Sequence, residues 1–156
     1  MRRAAVVSYR RHMTTPTATT ALDTDTVGRL SAGFHRCFSE FAADEGLFAE
    51  DTFFDLLPPL WRFQRRGPGS AFTDQLRSIA EGPVDVEVVR TVPTTTGFVT
   101  EHVETQHTAN GVITARRLHL CEVADGRIAA VTTYCNGGWD AELRARHAAE
   151  APMIRP

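Results

Sequence analysis

The sequence predicts an α+β domain, with helices first and a curved antiparallel sheet after them. Three observations carry this. Val27, Leu30, Phe34, Cys37, Phe38 and Phe41 recur at helical three-and-four spacing. After Pro83 the period falls to two and stays there as far as Cys135. Asn110-Gly111 and Asp125-Gly126, both hairpin dipeptides, punctuate that second half. At 156 residues the chain is long enough for one ordinary domain.

Residues 13–22 are Thr-rich without apolar period, so 1–22 read as a flexible tail and 23–156 as the domain. Asp23 and Thr24 are good N-cap types for a helix from about Asp25 to Ala43, ended by Gly46. Leu47 to Glu50 read as a short helical turn. Thr52 to Leu57 is rich in strand formers and is stopped by Pro58-Pro59, with Trp61 to Gln64 as its continuation. Phe72, Leu76 and Ile79 share one face of a helix over Ser70–Glu81, between Gly67-Pro68-Gly69 and Gly82-Pro83. Four strands follow: Val84–Val92, Phe98–His107, Val112–Val123 and Ile128–Cys135. Asp140 caps a last helix to about Glu150.

Composition narrows the function classes. The net charge of −2 lacks the basic surface a nucleic-acid partner needs. All 17 Lys+Arg residues are arginine, which removes Schiff-base and lysine-nucleophile chemistry. Cys37, Cys121 and Cys135 are odd in number and without CxxC spacing, so neither a disulfide framework nor a zinc knuckle is expected. No apolar run approaches the roughly 20 residues of a membrane span. Ala4 to Val7 is too short for a secretory core, which makes cytoplasmic location the default expectation.

A two-residue turn at Asn110-Gly111 sets Ala109 opposite Val112, and hence His102 opposite His119, Glu104 opposite Arg117 and Thr100 opposite Cys121. By alternation all six share one face. Directly opposed imidazoles would have Cβ atoms ~5 Å apart. If helices cover this face, its acids and bases are partly desolvated and their pKa values shift. If water covers it, Glu104–Arg117 is an ordinary cross-strand pair. The other face carries Val99, Val103, Leu118 and Leu120 together with Glu101, Arg116 and Glu122, and alternation alone does not choose between them.

Several segments resemble a known superfamily. Phe48-Ala49-Glu50-Asp51-Thr52, Thr100-Glu101-His102-Val103-Glu104 and Gly126-Arg127-Ile128 through Tyr134-Cys135-Asn136 are similar to segments of limonene-1,2-epoxide hydrolase. The chain thereby resembles the NTF2-like group, which also holds ketosteroid isomerase and SnoaL-like polyketide cyclases. The resemblance implies a cone-shaped sheet and N-terminal helices around a central pocket, with the His102/Glu104/His119 face inside. His102 falls where the hydrolase has its pocket arginine, Glu104 where it has an aspartate, and Asn136 where it has a second aspartate. Phe54 and Leu56 replace the residues that hold its water, so epoxide hydrolysis by that mechanism is not expected. Leu56 also falls at the general base of ketosteroid isomerase, and His119 at its proton-donating aspartate.

The expected function is therefore acid–base chemistry on a small molecule without a cofactor: a cyclase, isomerase or dehydratase. A non-catalytic binding protein and an altered epoxide hydrolase are the alternatives. His119 and His102 are the candidate acid and base, and Glu104 holds the imidazole tautomer. Arg117 and Asn136 are expected to stabilise developing negative charge. Phe54, Leu56, Trp61, Cys121 and Cys135 are expected as pocket wall or rim. His102, His119 and Glu104 could form a two-His, one-carboxylate set on facing strands, but they match no established metal motif and no metal is expected; Asp55 is expected to face outward. Val103, Leu118 and Leu120 on the outer face lead to the expectation of a homodimer.

Overall fold

The computed structural model describes residues 22–151, so the tail predicted for residues 1–22 lies outside it except for Leu22. The elements run α1 (Thr24–Ser39), β1 (Phe48–Leu57), β2 (Phe63–Gly67), α2 (Gly69–Ile79), β3 (Val84–Pro93), β4 (Gly97–Thr108), β5 (Gly111–Ala124), β6 (Arg127–Cys135) and α3 (Ala141–Glu150). Among these, no helix is long and apolar enough to cross a membrane.

Local chemistry sets the helix ends. The Asp23 side chain accepts from the Thr26 N–H at 2.8 Å and starts α1. The helix stops at Ser39, short of Ala43, because Phe41 enters the left-handed region at φ 52°. Asp140 caps α3 by accepting from the Leu143 N–H.

The six strands form one sheet in the order β2-β1-β6-β5-β4-β3. All neighbours are antiparallel except β1 and β6, which the α2–β3–β4–β5 excursion leaves parallel. Residues 48–50 are the first strand residues of β1, not a helical turn: the Ile128 N–H donates to the Leu47 carbonyl and Phe48 pairs with Ile128. Trp61 to Gln64 do not prolong β1 either. The chain reverses after Pro58-Pro59, and Phe63–Gly67 returns along it as β2. Register shifts in β1, β3 and the β5–β6 ladder bend the sheet around its concave face.

The β4–β5 register differs from expectation by two residues. Thr108 pairs with Gly111, and the turn is centred on Ala109-Asn110. The Thr108 hydroxyl causes this: it accepts from the Asn110 N–H and donates to the Gly111 carbonyl, while Gly111 takes the positive φ of 124°. His102 therefore lies opposite Arg117, Thr100 opposite His119 and Glu104 opposite Ala115. An even shift leaves every side chain on its face. Asp125 (φ 50°) and Gly126 (φ 73°) make the second hairpin as their sequence requires.

α1 and α2 cover the concave face through phenylalanines. Phe34 is fully buried among Phe38, Phe48 and Phe72, and Phe72 stacks on Phe54 at 4.9 Å with the planes 7° apart. His102 and His119 lie beneath this layer, 0% exposed. Phe34→Ala should cost about 3–5 kcal/mol, because ring and cavity terms add at a site this closely surrounded. Urea denaturation measures it, and a loss under about 1 kcal/mol would contradict the packing described.

Candidate functional site

The candidate site grows out of β4 and β5, whose alternation sends Thr100, His102, Glu104, Arg117 and His119 inward. His102 Nε2 lies 3.0 Å from Glu104 Oε1. Arg117 Nη2 donates to Glu104 Oε2 at 2.9 Å. Arg117 Nε is 2.7 Å from Oε1, but its N–H is not aimed there and finds no partner. Burial works against the Glu104 carboxylate, yet the His102 hydrogen bond and the Arg117 charge outweigh it and hold the carboxyl below its ordinary range. A carboxylate only accepts, so the proton of this pair sits on His102 Nε2.

His102 and His119 are diagonal neighbours, with ring centroids 4.8 Å apart. His119 Nδ1 lies 2.9 Å from the Thr133 hydroxyl. His102 Nδ1 and His119 Nε2 are buried without partners among the described residues. Burial first, then the charges of His102, Arg117 and His35, hold His119 well below the ordinary imidazole range. A third imidazole joins them from α1. His35 Nε2 meets the Thr100 hydroxyl at 2.9 Å, and the ring lies 5.5 Å from that of His102. Burial and His102 lower His35 from 6.5 to about 4. Its inward position was readable from helical spacing, four residues after Ser31 and three before Phe38.

The space a ligand can enter lies beside these imidazoles, not over them. Phe38 closes them off, its ring centroid 4.7 Å from His102 and 5.3 Å from His119. On the other side of Phe38 is a cavity of about 130 Å³ between α2 and the β4–β5 hairpin. Leu76, Ile79, Val84, Ile113 and Ala115 give it apolar walls, and Glu104, Gln106, Arg117 and Cys135 give it polar groups. A smaller lobe of about 40 Å³ shares Phe38, Leu76, Ile79 and Arg117 with it and adds Leu56, Phe72, Gln75 and Thr133.

The expected site residues thus divide. Glu104, Arg117 and Cys135 line the main cavity, and Leu56 the small lobe. His102 meets that space through Glu104 and Phe38, and His119 through Thr133 and Phe38. Phe54 and Cys121 are core, and burial pushes the Cys121 thiol up, away from thiolate chemistry. Asn136 uses its side-chain oxygen to accept from the Arg116 N–H at 2.7 Å and lines a shallow concavity on the outer face. Trp61 stands 69% exposed, stacked on Phe63. Asp55 does face away from Phe54, but Arg62 covers it with two hydrogen bonds and leaves it 5% exposed. Gln75, Gln106 and Thr133 are lining residues the sequence reading missed. Among the described residues, no three His, Cys, Asp or Glu side chains are grouped to hold a metal ion.

No family model and no curated protein sequence matches the chain. Solved structures do. A Mycobacterium tuberculosis LEH-like epoxide hydrolase is 19% identical with a TM-score of 0.57, over 83% of this chain and 98% of that one. An NTF2-like protein from Anabaena variabilis is 14% identical with a TM-score of 0.59, over 73% and 92%. A SnoaL-like protein from Jannaschia sp. CCS1 is 13% identical with a TM-score of 0.54, over 84% and 98%. At these identities the likeness is one of fold.

The buried imidazoles set the acid stability of the protein. His35 titrates at about 4 when folded and near 6.5 when unfolded. Its contribution is full above pH 6.5 and is lost as pH falls from there through about 4. His119 adds loss in the same direction, and Glu104 adds more below pH 4.5. Urea midpoints at pH 7.5 and 5 should differ clearly in the wild type and less in His35→Gln. An unchanged pH dependence in that variant would remove His35 from this account.

Proposed function

We propose that this chain, which has the NTF2-like α+β fold, is a cofactor-independent enzyme that moves a proton on a small ring-sized carbonyl compound. The observation that carries this is the pairing of a carboxylate, the only one lining the cavity among the described residues, with a guanidinium, opposite the apolar walls of that cavity. A cavity of about 150 Å³ in another protein holds one benzene ring, so the main cavity of about 130 Å³ suits a single ring. Glu104 and Arg117 neutralise one another, which favours a neutral ligand over an ionic one.

In this reading Glu104 takes a proton from carbon next to the ligand carbonyl. The C–H electron pair becomes the enolate, and the Arg117 guanidinium, which lines both lobes of the cavity, stabilises the oxygen charge. His102 Nε2–H holds Glu104 in place from behind. Return of the proton from Glu104 to a second carbon completes an isomerisation; if instead the enolate expels a β-hydroxyl and Glu104 gives that oxygen the proton, a C=C bond forms, water leaves and the result is a dehydration. His119 is one residue removed from the ligand. Phe54 and Leu56 supply no group to orient a nucleophilic water, which speaks against epoxide hydrolysis. The second reading, a binding protein, is favoured by one observation: both imidazoles are sealed beneath Phe38.

Deuterium exchange decides between them without knowledge of the natural substrate. Cyclohexanone in D₂O, followed by proton NMR, should lose its α-protons faster with the wild type than with buffer. Glu104→Gln should lower that rate ~10²–10⁴-fold while leaving cyclohexanone affinity nearly unchanged. Binding without any acceleration by the wild type would give the protein to the second reading.

We also propose a homodimer through the outer sheet face, where Leu118, Leu120 and Tyr134 are 36–49% exposed. Sedimentation at micromolar concentration should give twice the chain mass, and Leu118→Glu should restore the monomer. A wild-type monomer would refute it.

A further inference from the structure

Among the described residues, Thr133 alone both lines the smaller cavity lobe and meets a buried imidazole through its hydroxyl. It pairs with His119 across the β5–β6 ladder, is 2% exposed, and its Oγ1 lies 2.9 Å from His119 Nδ1. The opposite ring nitrogen, Nε2, is buried without a partner beside Phe34 and Phe38. A buried orphan donor is rarer in folded proteins than an under-satisfied acceptor. That preference leaves Nε2 as the bare lone pair and puts the single proton of a neutral His119 on Nδ1. The Nδ1–H then donates to Thr133 Oγ1. In that tautomer the hydroxyl proton of Thr133 has no acceptor among the described residues, and Thr133 lines the smaller lobe beside Arg117, Leu56 and Gln75.

We propose that Thr133 is a specificity-determining residue whose hydroxyl, turned outward by the Nδ1–H tautomer of His119, donates to an oxygen acceptor of the ligand in the smaller lobe. The inference rests on the cavity reading above but not on turnover. It makes His119 a positioning residue: the imidazole touches no ligand and sets the direction of the group that does. It also narrows the ligand class to ring compounds carrying a carbonyl or ether oxygen where the ring meets the small lobe. A hydrocarbon of the same size would leave the Thr133 donor unpaired, and a site built around a polar group rejects the analogue that lacks its partner.

The test uses the full chain and two probes, cyclohexanone and methylcyclohexane, titrated by chemical-shift perturbation into the wild type, Thr133→Val and Thr133→Ser. The Val variant keeps the shape of threonine and should weaken cyclohexanone about two- to tenfold, the range of one hydrogen bond, without weakening methylcyclohexane. The Ser variant should restore cyclohexanone binding. Long-range ¹H–¹⁵N spectra should show His119 protonated at Nδ1. Equal losses for both probes in Thr133→Val, or a proton on Nε2, would overturn the inference and leave the cavity reading standing. Failure of both probes to bind the wild type would overturn the two together.

Discussion

Everything on the concave face depends on Glu104 being held between His102 and Arg117. A carboxylate this far from water is tolerable only when its lone pairs meet donors and its charge meets a cation. Both come from adjacent strand positions: His102 from the same strand two residues back, and Arg117 from the diagonal position on β5. With Glu104 neutralised, α1 can lay Phe34 and Phe38 over the middle of the sheet without stranding a charge. The aromatic layer in turn presses His102 and His119 into contact. Arg117 Nε and the two free ring nitrogens are what this packing leaves over.

That arrangement separates burial from access. Phe38 belongs to both sides: its ring lies over His102 and His119, takes the Arg117 guanidinium at 5.8 Å, and forms a wall of the cavity. Groups on its sheet side are dry, and burial keeps His35 and His119 neutral at ordinary pH. Groups on the other side, Glu104 and Arg117, keep their charges and meet the ligand space. One phenylalanine therefore decides which polar residues face the cavity directly and which meet it through a neighbour.

The sequence carried the face of each strand better than the partner of each residue. Alternation places His102, Glu104, Arg117 and His119 together, and the two-residue error in the β4–β5 register did not disturb this because even shifts preserve the face. The pairings were lost because Thr108 closes the turn with its own side chain, a choice the Asn110-Gly111 signal outweighs on paper. Thr133 was hidden by an odd shift. Counting back from the Asp125-Gly126 turn puts Thr132 opposite His119. A one-residue bulge between Glu122 and Val123 replaces it with Thr133 and brings that hydroxyl inward. Nothing in Ala129-Ala130 announces the bulge. The sealing of the imidazoles was equally illegible, since it depends on where α1 lies across the sheet and not on any spacing within one element.

The same strand solves the opposite problem on its other side. Glu101, three residues before Glu104, points outward and is gripped by Arg90 from β3 and Arg116 from β5, each at 2.6 Å. It is 8% exposed, the same as Glu104. The two arginines outweigh its partial burial and hold the carboxyl below its ordinary range. Around it lie Leu118, Leu120 and Tyr134, all partly open to solvent. A carboxylate already satisfied by two guanidinium groups needs nothing from water, so this face can be covered by apolar surface without the desolvation penalty an unpaired charge would impose. β4 thus carries one buried ion network toward the cavity and one toward the outer surface.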